Sequence, residues 1–224
     1  MPPTKSETRP SLSRDLVADR ALEIAGAEGI EAVTIRRLAT ELGVTPMALY
    51  WHFRTKEDLL AGLADRVLDA IEVPARTSDW AADIRAALAA LVAAMRPHPQ
   101  VAHLVPERIM ANPKGLDLTE TALASLSDAG FSQEHASYLA MQALRAAITM
   151  VTGDQVDDSG QTAEERDAHL RTKKAALASL DPAKYPAVVA HADAMTHCPD
   201  VEAFFDFGID LYVAGVRGLA DRSR

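Results

Sequence analysis

The sequence predicts an all-α protein, and three observations carry that prediction. Apolar residues recur at spacings of three and four along most of the chain, the period of one helix face. The runs open on Ser, Thr, Asp or Asn and stop at Gly or Pro, residues that cap and end helices. No stretch alternates apolar and polar residues as a half-buried strand would.

The elements follow in order. Residues 1–11 read as a disordered arm with Lys5 and Arg9 as loose basic charges. Ser13 and Asp15 open a first helix with Leu16, Val17, Ala21, Ile24 and Ala25 on its apolar face, ending near Gly29. Thr34 is an N-cap, after which Ile35, Leu38, Ala39 and Leu42 form one stripe and Gly43 supplies the stop. Thr45 caps again, and Pro46 takes the first helical position, where its missing N–H costs nothing. Two short helices on a tight turn make a helix-turn-helix, whose second helix is suited to a DNA major groove. Thr55-Lys-Glu-Asp58 starts a fourth helix with Leu59, Leu60, Leu63, Val67, Leu68 and Ile71 inward.

Pro74 to Asp79 interrupts the chain before an Ala- and Leu-rich helix, Trp80 to Met95. Pro97, Pro99 and Pro106 mark an irregular stretch, and Asn112-Pro-Lys-Gly115 a turn. Further helices are expected over Leu116–Ala129, Ser132–Thr152, Thr162–Leu180, Pro182–Ala194 and Pro199–Ala220, with an exposed loop over Gly153–Gln161. The expected organisation is an arm (1–11), a helix-turn-helix domain (12–71, including a connecting helix 55–71) and a larger helical domain (80–221).

Composition narrows the class. Hydrophobic residues make up 48% of 224, ample for a core, yet no apolar run is long enough to span a membrane. The first residues lack the apolar segment of a secretory signal, and one cysteine, Cys198, cannot form an intramolecular disulfide. A cytoplasmic location is expected. The net charge of −9 is unevenly spread: residues 1–56 carry eight Lys/Arg against seven Asp/Glu, the rest 15 against 25. Screening over about 8 Å hides the acidic body from a distant DNA contact. The charge thus excludes non-specific nucleic-acid coating, not a focused contact.

The most specific signal is Ala48-Leu-Tyr-Trp-His-Phe53 followed by Lys56-Glu-Asp-Leu-Leu60. With Ala21-Leu-Glu-Ile-Ala25, Gly29-Ile-Glu-Ala-Val-Thr34, Arg37-Leu-Ala39 and Leu42-Gly-Val44, it resembles the DNA-binding domain of the tetracycline-repressor (TetR) family. Gly130-Phe-Ser132 and Phe204-Phe-Asp-Phe-Gly-Ile-Asp-Leu-Tyr-Val-Ala-Gly215 resemble the C-terminal domain of the subgroup containing the tetracycline repressor. The resemblance implies a DNA-binding domain joined to a ligand-binding and dimerisation body.

Carried over residue by residue, it places Thr45, Pro46, Met47 and Ala48 at base edges. Met47 and Ala48 suit thymine methyls, and Arg36 suits guanine, a contact worth roughly 1–3 kcal/mol of discrimination. Thr34, Tyr50, His52 and Lys56 are expected on phosphates. Arg37 is expected to be structural or solvent-facing, and Trp51 a core aromatic. A ligand cavity is expected between the fourth helix and the body, lined by Leu63, Met95, His98, His103, Leu104, Met110, Met141, Leu144, Arg145 and Ile148. Dimer contacts are expected from Ala136, Leu139, Ala143, Ala146, Ala147 and Met150 on one helix and Phe205, Ile209, Tyr212, Val213 and Val216 on the last. Their periodicity serves an intramolecular core equally well.

The tetracycline repressor holds a magnesium–drug complex through a histidine and a glutamate. His103 matches the first position; Gly153-Asp154 stands where the glutamate is expected. His197-Cys198 offers two ligands without a second pair. No metal and no cofactor is expected. The implied function is a ligand-responsive transcriptional regulator: a repressor that binds double-stranded palindromic operator DNA as a homodimer and is released by a small-molecule inducer. An activator of the same fold is the alternative, then a helical protein-interaction domain without DNA binding. No nucleophile–base pair or phosphate-binding glycine loop points to an enzyme.

Overall fold

Ser13, Thr34, Thr45 and Thr55 each precede an apolar helical run, and each caps a helix in the computed structural model. The structure describes residues 12–153, 163–196 and 200–222. Ser13 accepts the Leu16 amide at the start of α1 (Arg14–Glu28), and Thr34 the Arg37 amide at α2 (Ile35–Leu42). Thr45 accepts the Ala48 amide at α3 (Pro46–Tyr50), and Thr55 the Asp58 amide at α4 (Lys56–Asp69). Each cap satisfies an amide that the helix cannot, worth about 1 kcal/mol. Gly43, left-handed at φ 65°, ψ 36°, ends α2 and lets α3 start three residues later.

The four helices close over Val17, Leu38, Leu49, Phe53, Leu59 and Leu63, all fully buried. Phe53 fits only because residue 62 is glycine: a Cβ there would lie 2.4 Å from the ring's Cε1. The same core continues through Val67, Leu68, Met95, Val101 and Val105 into the second half, so α4 belongs to both parts.

The second half is built on α5 (Trp80–Met95), capped by Asp79 and packed against later helices on several sides. Buried Asp83 accepts the Thr77 amide at 2.9 Å and its hydroxyl at 2.8 Å, pinning the 70–79 connection to α5. A 3₁₀ stretch (Pro99–Leu104) leads into α6 (Val105–Arg108) and α7 (Pro113–Asp128), then α8 (Gln133–Gly153). α9 (Ala163–Ala178) and α10 (Pro186–His191) pack on each other. α11 (Val201–Arg222) returns to α5 and α8; Arg85 pairs with Asp206 and Asp210 at 2.8 Å, and Arg96 with Glu202 at 2.6 Å.

Two expected elements differ. The turn at Asn112–Gly115 is instead the start of α7, because Asn112 accepts the Lys114 and Gly115 amides and Pro113 takes the first helical position. The helix expected over Pro182–Ala194 shrinks to α10, because Pro186 forces Tyr185 out of helical geometry (φ −128°, ψ 52°) and the preceding residues turn on Asp181. The arm and the 154–161 loop lie outside the described residues.

Candidate nucleic-acid interface and ligand cavity

α3 is a short helix held by one buried side chain, Leu49, with nearly everything else outward. Thr45, Pro46, Met47 and Tyr50 are exposed, Met47 by 68%, and Ala48 is half-buried. Trp51 is 85% exposed, which corrects its expected place in the core. The buried aromatic is Phe53, two residues on, where the chain leaves α3 and its side chain turns toward Gly62. An exposed Met, Tyr and Trp on five residues is a costly arrangement in water unless something else covers it.

Salt bridges hold this helix in place from behind. Arg14 donates to Asp58 Oδ1 at 2.6 Å and to the His52 carbonyl at 2.5 Å, while its guanidinium lies 4.2 Å from the Phe53 ring centre. Asp58 also accepts the Arg54 amide at 2.9 Å. The Arg14 bond holds the Asp58 carboxyl below the usual carboxylate range, burial opposing it. α1 and α4 therefore grip the end of α3. On the other side Arg20 bonds Glu23 and Glu41, and Arg37 pairs with Glu28 at 2.7 Å and Glu41 at 3.0 Å. The Arg20 bond lowers the Glu41 carboxyl, again against desolvation.

Arg37 is thus structural, and its neighbour Arg36 is exposed with no ion pair among the described residues. Thr34 is exposed, with its hydroxyl serving as a cap. His52 is half-buried, and Lys56 makes only a long 3.4 Å pair with Glu31. Arg54 is exposed between α3 and α4 with no ion-pair partner among the described residues. The family resemblance does not single out Arg54; its signal in the sequence is a basic residue directly after the Tyr50–Phe53 aromatic run.

The body contains a cavity of about 360 Å³ between α5, α6, α7 and α8, with Tyr212 of α11 at one wall. Of the ten residues expected there, Met110, Met141, Leu144 and Arg145 line it. The others do not. Leu63 and Met95 are fully buried core: α4 contributes nothing to the cavity wall, and Met95 ends α5 beyond the part that lines it, Ile84 to Leu91. Leu104 and Ile148 are half-buried and pack on the main core. His103 is exposed. His98 sits in a different cleft, beside Asp19 and Arg66, where burial pushes its imidazole below the usual value. The wall is completed by residues that periodicity could not single out, among them Leu88, Leu91, Ile109, Leu118 and Ala122.

α6 connects the cavity to the head. Pro106, Ile109 and Met110 line the cavity, while Arg108 between them reaches α4, donating to Asp65 at 3.0 and 2.8 Å. Asn112 adds a 2.8 Å bond to Asp69. On α1, Asp19 pairs with Arg66 of α4 at 2.6 Å.

The expected dimer residues are wholly or partly buried within the single chain. Ala136, Ala147, Phe205, Ile209, Val213 and Val216 are buried, and Leu139, Ala143, Ala146, Met150 and Tyr212 are half-buried. These are the faces with which α8 and α11 pack on α5 and on each other. Tyr212 donates to the Leu139 carbonyl at 2.6 Å, and burial pushes its phenol up to about 12. The outward face of α11 carries Phe204, Phe207, Leu211 and Leu219 instead, Phe207 being 70% exposed. Among the described residues no group of three or more His, Cys, Asp or Glu could hold a metal ion, and no helix could cross a membrane. Asp154, His197 and Cys198 lie outside the described residues.

A capped helix-turn-helix with an exposed second helix, joined through α4 to a helical body with an apolar cavity, is the architecture of a one-chain transcription regulator. The description "Bacterial regulatory proteins, tetR family" matches residues 17–63, and "Tetracyclin repressor-like, C-terminal domain" matches residues 73–219. The chain belongs to the TetR family, with a tetracycline-repressor-like C-terminal domain, and is a transcriptional regulator. It is 30% identical to an HTH-type transcriptional regulator of Saccharopolyspora erythraea, over 98% of this chain and 90% of that protein. It is 30% identical to the class C tetracycline repressor protein of Escherichia coli, over 93% and 92%. Among solved structures it is similar to Streptomyces coelicolor ActR in complex with actinorhodin, with TM-score 0.77 and 25% identity, covering 96% of this chain and all of that one.

Proposed function

We propose that the protein is a repressor that binds a palindromic operator as a homodimer and leaves it when a small molecule occupies the body's cavity. The observation that carries this reading is α3: a helix fixed from behind by Arg14, Asp58 and Leu49, with Met47, Tyr50 and Trp51 facing water. The names of the tetracycline repressor relative and of the ligand-bound ActR structure support repression and a small ligand.

In this reading α3 enters the major groove. Thr45, Pro46, Met47 and Ala48 meet base edges, and Arg36 takes a guanine. Thr34, Tyr50, His52 and Lys56 contact phosphates, with Arg54 and the Trp51 ring as additions from the structure. The second copy packs on the outward faces of α8 and α11, where Tyr138, Phe204, Phe207 and Leu211 form an apolar strip in a lone chain. Release runs through α6: a ligand that displaces Ile109 and Met110 shifts Arg108, whose bonds to Asp65 move α4 and the head with it. To take the operator-competent state from 99:1 to 1:99, the ligand must favour the released state about 10⁴-fold.

Hydroxyl-radical footprinting on the DNA upstream of the protein's own gene tests this. A symmetric homodimer protects two patches related by a dyad, roughly 34–36 Å or a modestly different spacing apart. A single patch, or none on any fragment of that region, contradicts it.

A further inference from the structure

The cavity has an unequal polar endowment. Its walls are aliphatic side chains of α5, α6, α7 and α8, two methionines, and three residues with polar groups: Thr119, Tyr212 and Arg145. Two of these are already engaged. Thr119 donates to the Gly115 carbonyl at 2.8 Å, and Tyr212 to the Leu139 carbonyl at 2.6 Å. Arg145 makes no ion pair among the described residues, and the positions three and four away on α8 are Met141, Gln142, Ile148 and Thr149, none acidic. Among the described residues no carboxylate lines the cavity.

Arg145, exposed at the rim, differs in this from three other arginines of the body, none of which lines the cavity. Arg85, Arg96 and Arg108 each hold a carboxylate within 3.0 Å. In a chain with nine more acids than bases, an arginine left without one at the rim of an apolar cavity is poised for an anion from outside.

We infer that the ligand is an apolar organic acid, its hydrocarbon body in the cavity and its single anionic group on the Arg145 guanidinium. This rests on the reading of the cavity as the inducer site. A neutral ligand of the same shape gains only the apolar contacts, and a cationic one meets a positive rim. The planar guanidinium fork suits a carboxylate or sulfonate, which can take two parallel N–H bonds. The flexible Met110 and Met141 side chains, 60% and 47% exposed, let the mouth adapt to the hydrocarbon part.

Two fluorescent probes with one ring system test it: 1-anilinonaphthalene-8-sulfonate and its neutral counterpart N-phenyl-1-naphthylamine. Both are titrated into the full-length protein, Arg145→Gln, Arg145→Lys and the cavity-filling Ala122→Trp, each checked for folding by circular dichroism. The expected result is loss of both probes in Ala122→Trp. In Arg145→Gln, the sulfonate weakens at least tenfold while the neutral probe is unchanged, and Arg145→Lys restores most of the difference. An unchanged sulfonate-to-neutral ratio in Arg145→Gln overturns the anion assignment and leaves the cavity reading standing, as does an altered oligomeric state with that ratio unchanged. Full binding of both probes to folded Ala122→Trp overturns the cavity reading itself. If Ala122→Trp does not fold, Leu118→Phe replaces it with the same expected outcomes.

Discussion

The head and the body of this protein are packed by different rules. In the head, α1 to α4 enclose Val17, Leu38, Leu49, Phe53 and Leu59 with no exposure, and four side-chain caps close the helix starts. In the body, α5 to α8 enclose a cavity of about 360 Å³, and α11 leaves Phe204, Phe207 and Leu211 facing outward. A filled core moves as a unit, whereas a void lined by methionines has slack to rearrange. The difference fits the proposed division of labour: the head is packed to hold α3 rigidly, and the body has the open space that a ligand would fill.

The strongest way to break the comparison is to open the head. Phe53→Ala removes a fully buried ring and is expected to cost about 3–5 kcal/mol, seen as a large drop in the chemical-denaturation midpoint with loss of operator binding. Gly62→Ala reaches the same contact from the other side, pressing a methyl into the ring at 2.4 Å, for about 1–3 kcal/mol. Equal tolerance of both changes would mean the head is as slack as the body.

Next in size is Arg36→Ala, expected to weaken operator affinity by roughly 1–3 kcal/mol and relax preference at one base step, with the melting temperature unchanged. Competition binding against single-base operator variants measures it. Unchanged preference removes Arg36 from the base-reading set.

A smaller effect is expected at Asp58. The Arg14 bond keeps its folded pKa below the unfolded value of about 3.9, so the stabilisation is present above that value. It is lost as pH falls through the folded pKa. Because Arg14 is 44% and Asp58 34% exposed, solvent screening leaves the pair no more than about 1 kcal/mol. Asp58→Asn should lower the melting temperature by about 2–4 °C at pH 7 and by less near pH 3. A deficit that is the same at both pH values would show that the pair contributes nothing.

The smallest stability effect belongs to Trp51→Ala, within about 0.5 kcal/mol, because its side chain touches little. Operator affinity should nonetheless fall several-fold. A variant that loses stability instead would return Trp51 to the core.

What the sequence made readable follows from what capping and period encode. Thr34, Gly43, Thr45 and Pro46 specify the helix-turn-helix because each fixes a backbone position locally. Trp51 and Phe53 were harder: both are aromatic near a helix end, and only the tertiary site opposite Gly62 decides which one goes inside. On α8 and α11 the period found the apolar faces but not what they face. Ala147 and Ile209 pack within the chain, while Phe207 and Leu211, read only as part of a motif, point outward. The cavity was the least readable. Met110, Met141, Leu144 and Arg145 are legible as lining residues, but a void is made by what neighbouring helices fail to fill, and Leu63 and Met95 sit where they are filled.

The most direct test of the central claim is fluorescence anisotropy of the purified protein on its own upstream DNA, with scrambled competitor, across a salt series. A head that reads sequence predicts binding in the range of about 10⁻⁸–10⁻¹¹ M that survives competitor. Binding no tighter than about 10⁻⁶ M, displaced equally by scrambled DNA and falling steeply with salt, would contradict it.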